Sequence, residues 1–163
     1  MPRLSTIELF KEYMKFSAGH FTIFNGDERE NLHGHNYTVC AAFTTIIEDE
    51  GYSFHYRFYK DKVRKICDSL DEVTLIPEKC KHLRIEPDGK YTNVYFKDEK
   101  LIFLNRDIKI IPVTNITVEE LSNLILNEVL ADESELNANR IQKIEIKVFS
   151  GPGQSGSATW SKT

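Results

Sequence analysis

The stretch LHGHNYTVCAAFTTI, residues 32–46, decides how this chain folds. It is rich in aromatic and β-branched side chains, which favour an extended strand. Residues two apart in a strand point to the same face, so His33 and His35 direct their imidazoles to one side. The sequence therefore predicts a long strand from Leu32 to about Ile46 with two histidines near its start.

A second strand is predicted upstream, from about Tyr13 to His20. Its residues on one face are Met14, Phe16, Ala18 and His20. A polar loop, residues 25–31, joins the two strands, so their pairing would bring His20 to His33 and His35. Three imidazoles with one open position are typical of a catalytic zinc site. Judged by spacing alone, the HxH pair is equally compatible with two exposed side chains.

Two helices are predicted from apolar periodicity. The first spans about 56–70, where apolar residues recur at helical spacing. The second runs from about Val118 to Ala131, because Thr117 and Glu120 have the spacing of a capping box. Such a pair of amphipathic helices would cover one face of the sheet.

The remaining segments complete an α+β domain that spans residues 1–163. Residues from about 78 to 113 alternate in short polar and apolar stretches and predict a β-hairpin insertion. A last strand is predicted around 144–148, before the turn-rich GPGQSG at 151–156. Antiparallel strands with helices on one face indicate an α+β fold.

Composition narrows the class of protein. The 163 residues are 40% hydrophobic and 28% charged, with a formal net charge of −4, as expected for one soluble domain without the basic surface of a nucleic-acid binder. We find no membrane-spanning apolar run and no signal peptide. The three cysteines lack CxxC spacing, which favours a reduced, cytoplasmic setting. A domain of this size needs no structural metal, so a metal site would be functional.

Several motifs resemble one known family. The segments FSAGH (16–20) and LHGHNY (32–37) resemble the two zinc-ligand signatures of the 6-pyruvoyltetrahydropterin synthase and 6-carboxytetrahydropterin synthase family. SLDEVTLIP (69–77) resembles the family's turn after the first helix, and NITVEEL (115–121) resembles the start of its second helix. The chain is identified as a divergent member with a mid-chain insertion.

The resemblance implies a T-fold, a four-stranded antiparallel sheet with two helices on one face, assembled into a homo-oligomer, a trimer or a hexamer of two trimers. Active sites would lie between subunits, and His20, His33 and His35 would bind Zn²⁺. The family eliminates triphosphate from 7,8-dihydroneopterin triphosphate and rearranges or cleaves the side chain. The implied partner is a small pterin substrate, with no nucleic acid and no membrane.

The proton-transfer groups depart from the best-known relatives, which have a cysteine a few residues before HGH. Here Glu30 gives ExxHGH, which resembles the subgroup that uses a glutamate and forms 6-hydroxymethyl-7,8-dihydropterin. A dry pocket that raises the pKa of Glu30 towards neutrality would suit a general base. The alternative is that the charged residues 27–30 form a solvated loop. Cys40 is predicted to face the opposite side of the strand from the histidines.

Other positions also depart from the family pattern. Glu72 replaces the histidine of the turn, so Asp71 and Glu72 are the predicted assistants in proton transfer. Ser150 stands where relatives have the glutamate that anchors the pterin, and a serine offers only a neutral hydrogen bond. The predicted substrate-binding residues are Thr117, Glu119 and Ser150, although Glu119 equally suits the first turn of a helix.

Three further polar residues receive structural interpretations. His55 is expected to be structural, and Cys80 with His82 is expected to form an exposed loop pair. Two hypotheses follow for the whole chain. The first is a zinc-dependent pterin lyase; the second is a zinc-binding T-fold paralogue without the standard synthase activity that binds another pterin- or purine-like ligand. The pathway, whether folate, biopterin or a deazapurine such as queuosine, stays open.

Overall fold

The computed structural model describes all residues from Met1 to Thr163. Its strands are β1 (Arg3–Leu9), β2 (Lys15–His20), β3 (His33–Ile47), β4 (Val73–Pro77), β5 (Arg84–Asp88), β6 (Tyr91–Phe96), β7 (Glu99–Leu104), β8 (Ile108–Ile111), β9 (Ile141–Gly151) and β10 (Gln154–Ser161). Its helices are α1 (Tyr56–Leu70), α2 (Val118–Leu130) and α3 (Glu133–Ala138), with a short 3₁₀ turn at Asn105–Asp107. This is the α+β composition that the sequence predicts.

The large sheet is built around β3, which is 15 residues long. Its first half pairs with β2 and its second half with β1 on the same edge, while β9 pairs along the other edge. The strand order is β10-β9-β3-β2-β4-β8, and the β2–β4 and β4–β8 pairings are parallel. The sheet has seven strands. It exceeds the expected four antiparallel strands because β3 is long enough for two partners and because β4 and β8 extend the β2 edge.

The helices cover one face of this sheet. Helix α1 has the predicted bounds, and α2 ends one residue before the predicted end. The Thr117 hydroxyl accepts a hydrogen bond from the Glu120 amide at 3.3 Å, as a capping box requires. The Glu120 carboxylate, however, accepts from the Thr114 amide and hydroxyl, both at 3.1 Å, so it holds the approach to the helix instead of closing the box. No helix is long and apolar enough to cross a membrane.

The segment 78–113 is more elaborate than the predicted hairpin. Strands β5, β6 and β7 form a separate three-stranded sheet, and β8 then rejoins the large sheet. This small sheet closes over a second apolar core formed by Phe21, Ile23, Ile76, Cys80, Val94 and Phe96. Cys80 is therefore buried and not exposed as predicted. The hairpin prediction failed to include β5 because its sequence RIEPD is polar and contains a proline.

Candidate metal centre

Three histidine side chains converge where β2 meets β3. The register pairs His20 with His33 and places His35 opposite Ala18. The ring centroids of His20 and His33 lie 4.5 Å apart, those of His20 and His35 5.0 Å, and those of His33 and His35 4.9 Å. One nitrogen from each ring lies within 4.8 Å of the others. The alternation of side chains along β3 and its antiparallel pairing with β2 thus produce the predicted triad.

Backbone carbonyls orient two of the three rings. His20 Nδ1 lies 2.9 Å from the Ile116 carbonyl oxygen, and His33 Nδ1 lies 2.8 Å from that of Asn31. A carbonyl only accepts, so each Nδ1 carries a proton, and in the neutral ring the Nε2 then presents a lone pair. His33 Nε2 and His35 Nε2 are 3.1 Å apart. This is the arrangement in which neutral imidazoles bind a metal ion.

The chemistry of the triad fits a bound cation. His20 Nε2 is buried and has no hydrogen-bond partner in the structure. Burial lowers the pKa of His20, so the ring is favoured in the neutral form that coordinates metals. Converging lone pairs repel each other, and a cation between them removes that cost, above all at the buried Nε2 of His20. Three nitrogen donors with an open position match the ligand set of catalytic zinc.

Glu30 lies beside the triad. Its Oε2 is 4.0 Å from His33 Nε2 and accepts a hydrogen bond of 2.9 Å from the Thr22 amide. The Glu30 amide donates to the Thr22 carbonyl at 2.8 Å. Partial burial raises the pKa of Glu30, but the hydrogen bonding to Thr22 and the nearby His20 and His33 lower it by more. The net direction is downward, so the cavity does not provide the raised pKa that would suit a general base.

One cavity of about 300 Å³ joins these groups to other predicted residues. It is lined by His20, Thr22, Glu30, His33, His35, Tyr37, Thr117, Val118, Glu119, Ser150 and Gln154. The structure thus places the three predicted substrate-binding residues in the same cavity as the histidines. Tyr37 and Gln154 were missed. Tyr37 continues the alternation of His33 and His35, so the sequence carried a signal for it, whereas Gln154 had none.

Helix α2 reaches the cavity because β10 passes close to its first turn. A Cβ at Gly156 would lie 2.7 Å from the Glu119 nitrogen and from the Val118 carbonyl carbon. Only glycine allows this approach without a shift of the backbone. The close contact explains how Glu119 and Gln154 share one cavity.

Asp71 and Glu72 do not line this cavity. Asp71 Oδ1 accepts a hydrogen bond of 2.7 Å from the Ser17 amide, and the Glu72 amide donates to the Ser17 carbonyl at 2.8 Å. Glu72 has a φ of 57° in this turn. It lines a neighbouring cavity of about 490 Å³ that also contacts His35. A single subunit therefore does not bring either carboxylate into the cavity of the triad.

The remaining predicted residues have clear places. On β3, the side chains of Val39 and Ala41 lie in the main apolar core, and that of Cys40 does not. Cys40 therefore lies on the opposite face of the strand from the histidines, as predicted. His55 precedes α1 without a capping hydrogen bond and contacts the Tyr52 ring, 5.7 Å between centroids.

Comparison with known proteins agrees with this geometry. The family model described as 6-pyruvoyl tetrahydropterin synthase matches residues 8–159. The chain belongs to this family. The match confirms the predicted resemblance. Members of the 6-pyruvoyl tetrahydropterin synthase family are lyases of pterin biosynthesis.

Individual relatives extend the similarity. A protein of Methanocaldococcus jannaschii, provisionally named a 6-carboxy-5,6,7,8-tetrahydropterin synthase, is 25% identical over 142 residues, which cover 86% of each chain. The 6-pyruvoyl tetrahydropterin synthase structure from Plasmodium falciparum has 28% identity and a TM-score of 0.92, covering 98% of this chain and 99% of that one. A Plasmodium vivax synthase has a TM-score of 0.92, 26% identity and the same coverage; in it a glutamate described as a catalytic residue is replaced by alanine. The T-fold is confirmed.

Proposed function

We propose that this protein is a zinc-dependent lyase that eliminates triphosphate from 7,8-dihydroneopterin triphosphate and then rearranges or cleaves the side chain. The observation that carries the proposal is the buried, unpartnered His20 Nε2, which faces His33 and His35 beside the Glu30 carboxylate. These histidines would hold Zn²⁺, which when bound supplies a Lewis acid that stabilises negative charge on substrate oxygens.

Glu30 is the proposed general base. Its lowered pKa keeps the carboxylate ionised at neutral pH, which is the form that accepts a proton from a carbon beside a carbonyl, but gives it a lower proton affinity than a raised pKa would. The Thr22 amide donates to one of its oxygens, and the other oxygen accepts no hydrogen bond from the protein. A glutamate described as catalytic in the Plasmodium vivax relative supports this assignment. Together with the ExxHGH spacing it favours cleavage of the side chain to 6-hydroxymethyl-7,8-dihydropterin.

Thr117, Glu119 and Ser150 are proposed to contact the pterin, because all three line the cavity. A carboxylate such as Glu119 can accept two hydrogen bonds from a heterocycle that presents adjacent N–H groups, whereas Ser150 offers one neutral bond. The trimer or hexamer and the cytoplasmic location remain predictions. So does the assistance of Asp71 and Glu72, which would need a second subunit to reach this cavity.

The decisive experiment measures zinc content and then follows triphosphate release and pterin products from dihydroneopterin triphosphate. We expect Glu30→Ala to lose turnover by about 100-fold or more while keeping its metal, because a general base contributes about that factor. Glu28→Ala is the matched control, since it removes an exposed carboxylate from the same loop. Absence of product from wild-type protein with stoichiometric zinc would contradict the lyase, and full metal content in His33→Ala would contradict the metal site.

A second function is favoured by the residues at Ser150 and Glu72, which depart from the family pattern. A zinc-binding T-fold paralogue could recognise another pterin- or purine-like ligand with the same cavity and no synthase activity. Calorimetric titration of the zinc-loaded protein with reduced pterins and purines distinguishes the two functions. Tight binding without any product supports the paralogue.

A further inference from the structure

The segment 21–30 joins the ligand His20 to Glu30 and packs against the small three-stranded sheet. Phe21 belongs to the second apolar core together with Phe96 of β6. Ile23 and Arg29 form an antiparallel β-bridge that closes the loop on itself. The loop that carries Glu30 is therefore attached to the three-stranded sheet, not left in solvent.

Two ion pairs connect this loop to the small sheet: an exposed pair between Asp27 and Lys97 at 2.8 Å, and a more buried pair between Arg29 and Glu99. The Arg29 guanidinium lies 5.3 Å from the centroid of the Phe21 ring and 5.9 Å from that of Phe96, and its side chain is only 17% exposed. Nε donates to Glu99 Oε2 at 2.8 Å, and Nη2 donates to the same oxygen. Nη1 donates to the main-chain carbonyl of Glu30 at 2.8 Å. One side chain thus connects β7 to the backbone of Glu30.

We propose that Arg29, fixed by Glu99, is a positioning residue that holds Glu30 beside the histidines, so that the three-stranded sheet supports the loop of the base. The proposal rests on the proposed function of Glu30. A planar guanidinium that packs on two aromatic rings has little rotational freedom. Its N–H groups point in fixed directions, so they fix the positions of the Glu99 carboxylate and the Glu30 carbonyl. With the Glu30 carbonyl held by Arg29 and its amide held by Thr22, the carboxylate keeps its place near His33.

Glu99→Gln tests the connection with little change in volume, because Glu99 is half exposed and its amide replacement removes the charge that fixes Arg29. We expect kcat to fall about 10- to 100-fold, since misplacement of a reacting group by about 1 Å has an effect of this size. KM and zinc content should stay unchanged. Glu86→Gln is the matched control: it pairs with Arg84 in the same small sheet and is expected to keep wild-type kcat. Equal kcat values for Glu99→Gln and Glu86→Gln would overturn the proposal.

A double variant separates positioning from a general loss of structure. If Glu99 acts through Glu30, adding Glu99→Gln to Glu30→Ala causes no further loss of kcat. A further loss of tenfold would overturn the proposal.

Amide hydrogen exchange provides a readout that needs no turnover. The Thr22 amide donates to the Glu30 carboxylate, and the Glu30 amide donates to the Thr22 carbonyl. In Glu99→Gln we expect both amides to exchange faster, while the amides of β3 exchange at the wild-type rate. Unchanged exchange at both amides would refute the support of the loop even if the protein has no activity. Conversely, absent turnover with the expected exchange would refute only the proposed function.

Discussion

The three thiols, Cys40, Cys67 and Cys80, are all buried and free, and none lines the cavity of the histidines. Burial raises the pKa of Cys67 to about 12 and raises the pKa of Cys40 above its ordinary value. The thiolate is the nucleophilic form of cysteine. Cys40 and Cys67 are therefore held in the thiol form, and none of the three cysteines reaches the cavity of the histidines.

We expect iodoacetamide to leave the native protein unmodified at mildly alkaline pH, because all three thiols are buried and the raised pKa of Cys40 and Cys67 also disfavours their thiolate form. In concentrated guanidinium chloride all three cysteines should be alkylated. Mass spectrometry of the intact protein counts the adducts. Rapid alkylation of Cys40 in the folded protein would show that this strand opens or that its face is wrongly assigned.

At the level of single residues, the sequence carried the information that depends on short-range geometry. The alternation of His33 and His35 predicts their common face, and it would also have found Tyr37. The direction of the pKa of Glu30 could not be predicted, because the Thr22 amide that lowers it is visible only in the folded loop. Gln154 reaches the cavity through the return of β10, for which no local pattern exists.

At the level of the elements, the close contact between β10 and the first turn of α2 can be tested by a substitution at Gly156. We expect Gly156→Ala to lower the free energy of unfolding by about 1–3 kcal/mol, because the new methyl group meets backbone atoms that cannot rotate away. Gly151→Ala is the control, since a Cβ there has no neighbour within 4 Å. Urea denaturation measures both variants. Equal stability of the two would mean that α2 moves freely from β10.

The elements differ in how well the sequence predicted them. Helix α1 buries five apolar residues at helical spacing, which is a strong signal, and its bounds were predicted correctly. Strand β1 was missed although RLSTIEL alternates, because only its pairing with the far half of β3 makes it a strand. Helix α3 is six residues long, too short to produce a periodic pattern.

For the whole molecule, the metal centre should affect stability as well as activity. If zinc binds the folded triad, metal at about 1,000 times its Kd stabilises the protein by about 4 kcal/mol, or roughly 8–16 °C in Tm. We expect this shift in wild-type protein and in His82→Ala, whose ring lies outside the triad. His33→Ala should lose most of it. Differential scanning fluorimetry with and without zinc measures the shift, and an equal shift in His33→Ala would contradict the metal centre.

The hydrogen bond that fixes the ring of His20 has a consequence for biosynthesis. Its acceptor, the Ile116 carbonyl, is 96 residues further along the chain. At about 5–20 residues per second, roughly 5–20 s pass on the ribosome between the synthesis of the two groups. During that interval the three histidines exist in a nascent chain without the carbonyl that sets the tautomer of His20. A metal bound as proposed would therefore be loaded correctly only after the second half of the chain has been synthesised and folded.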